Sequence, residues 1–134
     1  MKALWKPSWN SSKQPRKQRK YRFNAPLHIK QKFLHVPLSK ELRKKYQIRN
    51  VRVRTNDKVL ITRGQFKKKT GKVERIDLKN TKVYVQNIEM VKKDGSKILY
   101  PLKPASLQIQ ELDVSDKMRR KKLERNKPKE EPKK

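Results

Sequence analysis

The chain has 134 residues, of which 32% are hydrophobic, so it can bury one small core and little more. Forty Lys and Arg residues against 12 Asp and Glu residues give a formal net charge of +28, which opposes compaction unless a polyanion binds. The sequence lacks cysteine, which excludes disulfides, thiol catalysis and cysteine-based zinc sites. It also lacks an apolar run near the ~20 residues that a membrane-spanning helix needs, so nucleic acid is a better partner than a membrane.

Residues 1–23 contain no acidic residue. Pro7 and Pro15 disfavour a stable helix and the apolar residues are too few to fold alone, so we expect a basic, extended arm. Aromatic residues interleaved with the cations could stack on unpaired bases or fill a neighbour's pocket. For the first dozen residues the alternative is a solvated, disordered tail. The cations of interest are Arg16, Lys17, Arg19, Lys20 and Arg22.

Residues 24–48 predict short helical pieces that pack on the core or on a partner. The clearest one has Ser39 as a cap, Glu41 in its first turn and three basic residues near its end. The negative charge at its start and the positive charges at its end both interact favourably with the helix dipole. Its apolar stripe consists of Leu38, Leu42 and Tyr46.

The stretch 57–76 predicts two short strands joined by a basic loop. Val59 and Ile61 show the period of two expected when one strand face packs on a core. Gly64 and Gly71 flank the loop, where we expect a positive φ or a close approach of backbone. The alternative is a solvated hairpin end whose lysines keep the domain soluble. The loop cations are Arg63, Lys67, Lys68, Lys69 and Lys72, and its one aromatic residue is Phe66.

Further strands are predicted on both sides of this hairpin. Arg49, Arg52 and Arg54 lead into it, with Arg52 and Arg54 on one side of an extended segment. Residues 82–86 alternate as a strand and residues 107–112 supply the last one. Short strands with tight turns over residues 49–113 predict a mainly β fold, a small SH3-like barrel.

Asp94-Gly95 is the strongest hairpin signal in the sequence. It predicts a two-residue type I′ turn at Gly95. In that register Lys92 faces Lys97 across the ladder, a repulsive pair unless phosphate lies nearby.

Residues 114–134 predict a short helix and a charged, disordered tail. Ser115 suits the cap and Asp116 the first turn, and the helix continues to Glu124 without a broad apolar face. Such a helix is marginal in isolation. The tail begins after Arg125.

The strand, Arg-Gly, basic loop and Gly-Lys-Val of residues 59–73 resemble the KOW motif of ribosomal proteins and transcription elongation factors. The flanking segments 14–20, 24–28, 37–43 and 46–54 resemble the archaeal members of one large-subunit ribosomal protein family, numbered twenty-four in bacteria and twenty-six in eukaryotes. The resemblance runs from about Gln14 to Asp116. The family often has a glycine in mid-loop, where this chain has Lys68.

The resemblance implies a structural constituent of the large ribosomal subunit that binds ribosomal RNA and helps its assembly. It also implies an SH3-like fold, a cytoplasmic location in the ribosome, binding near the 5′ part of the large-subunit RNA and a place close to the peptide exit tunnel. The expected partners are that RNA and neighbouring ribosomal proteins. No membrane, small-molecule substrate, cofactor or metal is expected to bind, and the chain is not expected to form a homo-oligomer. RNA contacts are expected from the arm and loop residues named above, together with His28, Arg49, Arg52 and Arg54.

Other functions fit the sequence less well. His28 and His35 are the only histidines and no acid precedes Glu41 to orient them, so catalysis is not expected. The loop differs from a phosphate-binding P-loop in its glycine spacing, and Val73 stands where Ser or Thr is required. A KOW-type transcription factor would carry a further domain, and a nucleoid protein would bind duplex DNA without preference.

Overall fold

The computed structural model describes residues 5–125. In this range 3₁₀ turns cover Pro7–Asn10, Gln31–Leu34 and Pro104–Ser106. The α-helices are α1 (Pro15–Asn24), α2 (Leu27–Lys30), α3 (Lys40–Tyr46) and α4 (Lys117–Glu124). The strands are β1 (His35–Pro37), β2 (Asn50–Arg52), β3 (Lys58–Ile61), β4 (Thr70–Asp77), β5 (Lys82–Val85), β6 (Glu89–Val91), β7 (Lys97–Leu99) and β8 (Leu107–Glu111). The predicted mainly β class is confirmed.

The strands pair in three antiparallel sheets. The largest has the order β5-β4-β3-β8, and the other two are the pairs β1-β2 and β6-β7. Isolated bridges between Leu38 and Ile109 and between Val83 and Leu102 link neighbouring segments. Within residues 5–125 the ladders do not close into one continuous barrel, and no ladder joins β7 to β8. Pro101 and Pro104, which cannot donate a backbone hydrogen bond, lie between these two strands.

One apolar core lies between these sheets. The alternating pattern places Val59 and Ile61 of β3, and Val83 and Val85 of β5, inside, as the sequence predicts. The predicted cap of α3 is also confirmed, because the Ser39 hydroxyl accepts a hydrogen bond of 3.3 Å from the Leu42 amide. The fully buried side chains include Leu34, Val36, Leu38, Val53, Val73, Ile88, Leu107 and Ile109.

The prediction that the N-terminal segment is extended is wrong for residues 15–24, which form α1. Pro15 does not prevent the helix because it occupies the first turn. The backbone N–H groups of the first turn have no partner within a helix, so the N–H that proline lacks costs no hydrogen bond there. The Tyr21 ring packs 5.2 Å from Trp5 and 6.3 Å from Phe33, measured between centroids. These aromatic contacts seat α1 on the domain, although no residue of α1 is buried.

The β6-β7 hairpin differs from its predicted register by one residue. Lys97 pairs with Val91, and the Lys92 amide donates to the Ser96 carbonyl, so a three-residue loop replaces the two-residue turn. Gly95 occupies the left-handed region at φ 82°, as a loop that combines a type I turn with a bulge requires. This register separates Lys92 from Lys97 and removes the predicted repulsive pair.

The helix α4 is anchored by a buried ion pair that the sequence did not reveal. The Arg119 guanidinium binds both carboxylate oxygens of Asp57, at 2.6 and 2.7 Å, and both side chains are almost inaccessible to solvent. Asp57 also accepts from the backbone amides of Arg54 at 2.8 Å and Asp113 at 3.0 Å. One carboxylate thus joins three separate segments of the chain.

The cap of α4 is Asp116, one residue beyond the predicted Ser115. Its carboxylate accepts from the Met118 amide at 2.9 Å and pairs with Arg54. The predicted disordered tail after Arg125 lies outside the described residues.

Candidate nucleic-acid interface

The basic loop between β3 and β4 is compact and internally hydrogen-bonded. The Lys68 amide donates to the Ile61 carbonyl at 2.8 Å, and the Ile61 amide donates to the Lys69 carbonyl at 2.9 Å. The Lys67 amide reaches the Gly64 carbonyl at 3.1 Å. These amides therefore form their hydrogen bonds within the backbone of the loop, and the cationic side chains face solvent. The exposed members are Arg63, Lys67, Lys68, Lys69 and Lys72, of which Lys72 lies on β4.

The two glycines at the ends of this loop meet different steric demands. Gly64 has φ 91°, in the region that side chains disfavour. Gly71 lies where an added Cβ would approach the Val85 side chain to 2.6 Å and the Gln86 carbonyl oxygen to 2.8 Å. Gly64 therefore makes the turn, and Gly71 allows β4 to pack closely on β5.

Lys68 has a left-handed backbone at φ 72°, at the position where the resembled family often has glycine. A residue with a side chain adopts this conformation only at a cost in free energy. The loop thus keeps the glycine-type backbone while carrying an additional cation.

Phe66 fastens the loop to the domain. Its ring is half-buried and lies 5.2 Å from the Tyr100 ring, while the Lys69 ammonium lies 5.4 Å from the Phe66 centroid. The ring packs against the main core. Its predicted role as an RNA contact stays a prediction.

The five cations predicted on the arm are all on the surface, now on a helix. Among residues 5–125 none of them forms an ion pair. Arg22 is the most constrained, because its guanidinium lies 5.4 Å from the Phe33 centroid and donates to the Thr81 hydroxyl at 3.4 Å. The other four are Arg16, Lys17, Arg19 and Lys20.

Two adjoining grooves bring the arm and the loop to one surface. The first, the α1 groove, has a volume of about 480 Å³ and lies between α1, the β4-β5 turn and the segment near Lys103. The second, the loop groove, has a volume of about 350 Å³ and lies between residues 63–66 and 100–106. Lys82, Lys103 and Ala105 line both, and none of the described residues that line either groove is an Asp or a Glu. Of the ten predicted cations of α1 and the loop region, Arg19 and Arg22 line the first groove and Arg63 lines the second. We call these two grooves, together with the exposed cations of α1 and of residues 63–72, the basic surface.

Sequence reasoning missed Lys79, Lys82 and Lys103 because none of them belongs to a basic run or to the loop motif. Lys82 precedes the inward-facing Val83, so strand alternation could have identified it as outward-facing. Lys79 lies in the β4-β5 turn and Lys103 directly precedes the 3₁₀ turn Pro104–Ser106, and only the fold brings them beside α1.

The third predicted group of cations lies elsewhere. Neither groove is lined by Arg49, Arg52 or Arg54. Arg52 donates to the Gln31 side-chain carbonyl at 2.7 Å, and Arg54 pairs with Asp116. Two of these three guanidinium groups therefore have partners within the protein, while Arg49 is exposed.

Asp77 stiffens the β4-β5 turn that borders the α1 groove. The backbone amide of Asn80, at 3.1 Å, and then its side-chain amide, at 2.8 Å, hold the pKa of this carboxyl below its usual value of 3.8. The carboxylate is thus ionised and engaged within the turn that presents Lys79 and Thr81.

Within the described residues, the two histidines do not form a metal-binding or catalytic centre. His28 is exposed on α2, and Nδ1 of His35 lies 2.7 Å from the Lys32 carbonyl oxygen. Residues 5–125 contain no group of three His, Cys, Asp or Glu side chains that could hold a metal ion. In the same range no helix is long and apolar enough to cross a membrane.

Comparison with known proteins finds matches that extend over most of the chain. The sequence profile of the family that comprises the eukaryotic ribosomal proteins L26 and their archaeal counterparts, the L24 proteins, matches residues 12–126. The large ribosomal subunit protein uL24 of Methanocorpusculum labreanum is 46% identical over 114 residues, which cover 85% of this chain and 94% of the relative. The matched range contains the basic loop, α1 and both grooves.

Proposed function

Because this chain belongs to the ribosomal protein L26 family, we propose that it binds large-subunit ribosomal RNA through its basic surface and helps that RNA to assemble. The family resemblance found in the sequence is confirmed, and membership makes the chain a protein of the large ribosomal subunit in the cytoplasm. Its partners in the particle are ribosomal RNA and other ribosomal proteins.

The observation that carries the RNA-binding proposal is the unpaired state of the cations on the basic surface. The five cations of the loop region and the five of α1 form no ion pair within residues 5–125, and the grooves between them contain no carboxylate. Mutual repulsion among such cations is relieved when phosphates lie between them. The surface is therefore suited to RNA segments that must pack together.

Binding of this kind draws its free energy from the release of counterions. With about 6–10 phosphate contacts, affinity falls roughly 10³- to 10⁵-fold between about 50 and 200 mM salt. Specificity then comes from RNA shape, because side chains cannot read the narrow major groove of an RNA duplex. The internally hydrogen-bonded loop and the helix α1, which Tyr21 seats on the domain, hold the backbone that carries these cations, which suits recognition of shape.

We further propose the four-part organisation of 1–23, 24–48, 49–113 and 114–134, with the first and third parts supplying the RNA contacts. The proposed binding near the 5′ part of the RNA, early in assembly and close to the exit tunnel, is supported by the resemblance over Gln14 to Asp116 alone.

The test is a salt titration of binding to transcribed large-subunit RNA. Replacement of Lys67, Lys68 and Lys69 by alanine should lower the slope of log affinity against log salt by about two to three. The charge-matched control replaces Lys117, Lys121 and Lys122 of α4 and should change the slope less. Equal changes would mean that net charge, not the loop, sets affinity, and an unchanged slope for the loop variant would place the loop in solvent.

Sedimentation of a cell lysate before and after a high-salt wash tests the assignment to the particle. Stoichiometric retention on the large subunit is expected. Release into light fractions, or migration with DNA or RNA polymerase, would support the nucleoid or transcription alternative.

A further inference from the structure

The α1 groove has the size and lining of a site for a small planar group with a charged tail. Its volume of about 480 Å³ lies within the roughly 300–1,000 Å³ of ligand pockets. Its lining includes the apolar surfaces of Phe33, Pro104 and Ala105 and the cations of Arg19, Lys82 and Lys103. A lining that combines apolar surfaces with cations matches a nucleotide, which joins an aromatic base to a phosphate.

Phe23 supplies an aromatic surface at this groove that the protein itself does not cover. It is 80% exposed at the end of α1 and lines the groove. Tyr21, two residues earlier, instead packs against Trp5 and Phe33. Burying the Phe23 ring would remove apolar surface from water, and a nucleic-acid base is a flat partner that can cover it.

Arg22 and Thr81 also line the groove and contact each other. The Arg22 guanidinium lies over Phe33 at 5.4 Å and donates to the Thr81 hydroxyl at 3.4 Å, so its plane is held in position. Guanidinium planes are surfaces on which unpaired bases stack in RNA complexes. The groove thus has two planar cationic or aromatic groups at its margin, Arg22 and Phe23.

Thr81 carries backbone strain at the same place. Its φ of 53° is a genuine outlier for a β-branched residue. The hydrogen bonds between Asp77 and Asn80 stiffen the turn that precedes it. Strain of this kind gathers at ligand sites, and here it fixes the hydroxyl that positions Arg22.

We infer that the α1 groove receives a single unpaired nucleotide of RNA, with its base stacked on Phe23 and its phosphates held by Arg19, Lys82 and Lys103. This inference rests on the proposed function, because it specifies the form of RNA that the basic surface recognises. A paired base cannot enter, since its faces are covered by its neighbours in the helix. The site therefore selects a bulge, a loop or a strand end.

The experiment uses the full chain and transcribed large-subunit RNA at a fixed salt concentration. Phe23→Ala should weaken binding about tenfold, within the range for loss of one base-aromatic stack, while leaving the salt slope unchanged. Phe23→Trp should restore affinity because it retains a stacking face. Leu27→Ala is the matched control, since Leu27 is 60% exposed but does not line this groove.

A second measurement identifies the nucleotide. With p-benzoylphenylalanine at position 23, ultraviolet cross-linking should attach the protein to one nucleotide. The 2′-hydroxyl of that nucleotide should react with an acylating reagent in free RNA, as unpaired nucleotides do, and should be protected in the complex. Circular dichroism checks that each variant is folded.

The outcomes separate the inference from the function on which it rests. If wild-type affinity for the RNA does not depend on salt, the proposed function fails. If wild type and Phe23→Ala bind equally, or the cross-link falls on a base-paired nucleotide, the inference is overturned while the RNA-binding function stands.

Discussion

The helices α1 and α4 have similar composition but are attached to the domain in different ways. Each is short and carries five basic side chains. No residue of α1 is buried, whereas α4 buries Arg119 and Leu123 to 5% and 2% exposure. The helix α4 uses one of its charges inside the protein, while α1 keeps all of its cations on the surface.

The difference follows from where the carboxylates lie. Asp57 is buried at the start of β3 and Asp116 caps α4, so the guanidinium groups of Arg119 and Arg54 find partners there. Within residues 5–125, no carboxylate lines the groove beside α1. Whether a cation forms an ion pair therefore depends on where the fold places a carboxylate, which its sequence neighbours do not reveal.

The largest expected effect is on the anchor of α4. Arg119→Met leaves the Asp57 carboxylate buried without its counter-ion, which should lower the free energy of unfolding by about 3–5 kcal/mol. Urea unfolding followed by circular dichroism measures this. The control on the same helix is Arg120→Met, whose exposed side chain reaches only the Val114 carbonyl. A loss below about 1 kcal/mol would mean that the pair behaves like a surface ion pair.

The second prediction removes equal charge from each helix. Replacement of Arg16, Lys17, Arg19 and Lys20 by glutamine should lower the salt slope of RNA binding by about three to four, without loss of stability. Replacement of Lys117, Arg120, Lys121 and Lys122 should change that slope less. Salt titrations of both variants measure the contrast. Equal slopes would show that the two helices contribute equally to RNA binding.

The third prediction concerns strain on the basic surface. The left-handed backbone at Lys68 costs about 1–2 kcal/mol of folding free energy. A glycine at this position would remove that cost, but it would offset part of the gain because glycine makes the unfolded chain more flexible. Lys68→Gly should therefore raise the free energy of unfolding by about 0.5–1 kcal/mol. Lys68→Ala removes the same charge but keeps the strain, so its stability should stay near that of the wild type. A gain of equal size in both variants would instead assign the effect to charge.

The smallest effect is the acid sensitivity of the α4 cap. The hydrogen bond from Arg54, and then that from the Met118 amide, holds the pKa of Asp116 below its usual value of 3.8. The unfolded chain then binds the proton first, so this contribution is complete at neutral pH and is lost as pH falls below 3.8.

Asp116→Asn should accordingly reduce the loss of stability between about pH 5 and about pH 3. Urea midpoints at the two pH values measure it. Part of the pH dependence should remain, because hydrogen bonds also lower the pKa of Asp77, Asp94 and Asp113. An unchanged pH dependence would mean that the cap bonds do not persist in solution.

Local pattern was sufficient to predict the strands from residue 49 onward, the α3 cap and the basic loop, but not the short strand β1, which lies where helical pieces were expected. Alternation identified Val59, Ile61, Val83 and Val85 as buried, because a strand reverses its side chains at every residue. The basic loop was identifiable because its cations are adjacent in sequence.

The hairpin register and the helix α1 were not predicted correctly. Asp94-Gly95 fits both a two-residue turn and the observed three-residue loop, and the pairing of Val91 with Lys97 selects the second. In α1, Pro15 disfavours a helix by residue type alone, but it occupies the first turn, where proline is tolerated. The aromatic contacts that seat the helix come from Trp5 and Phe33, which lie outside it.

The sequence by itself determined a small, strongly basic, mainly β domain with a cationic loop, since charge and alternation are properties of neighbouring residues. Tertiary structure alone decided which cations stay free. It paired Arg119 with Asp57, 62 positions apart, and brought Lys79, Lys82 and Lys103 beside α1. The physical reason is that electrostatic and stacking interactions act over a few ångströms in space, and only the packed core determines which distant residues come that close.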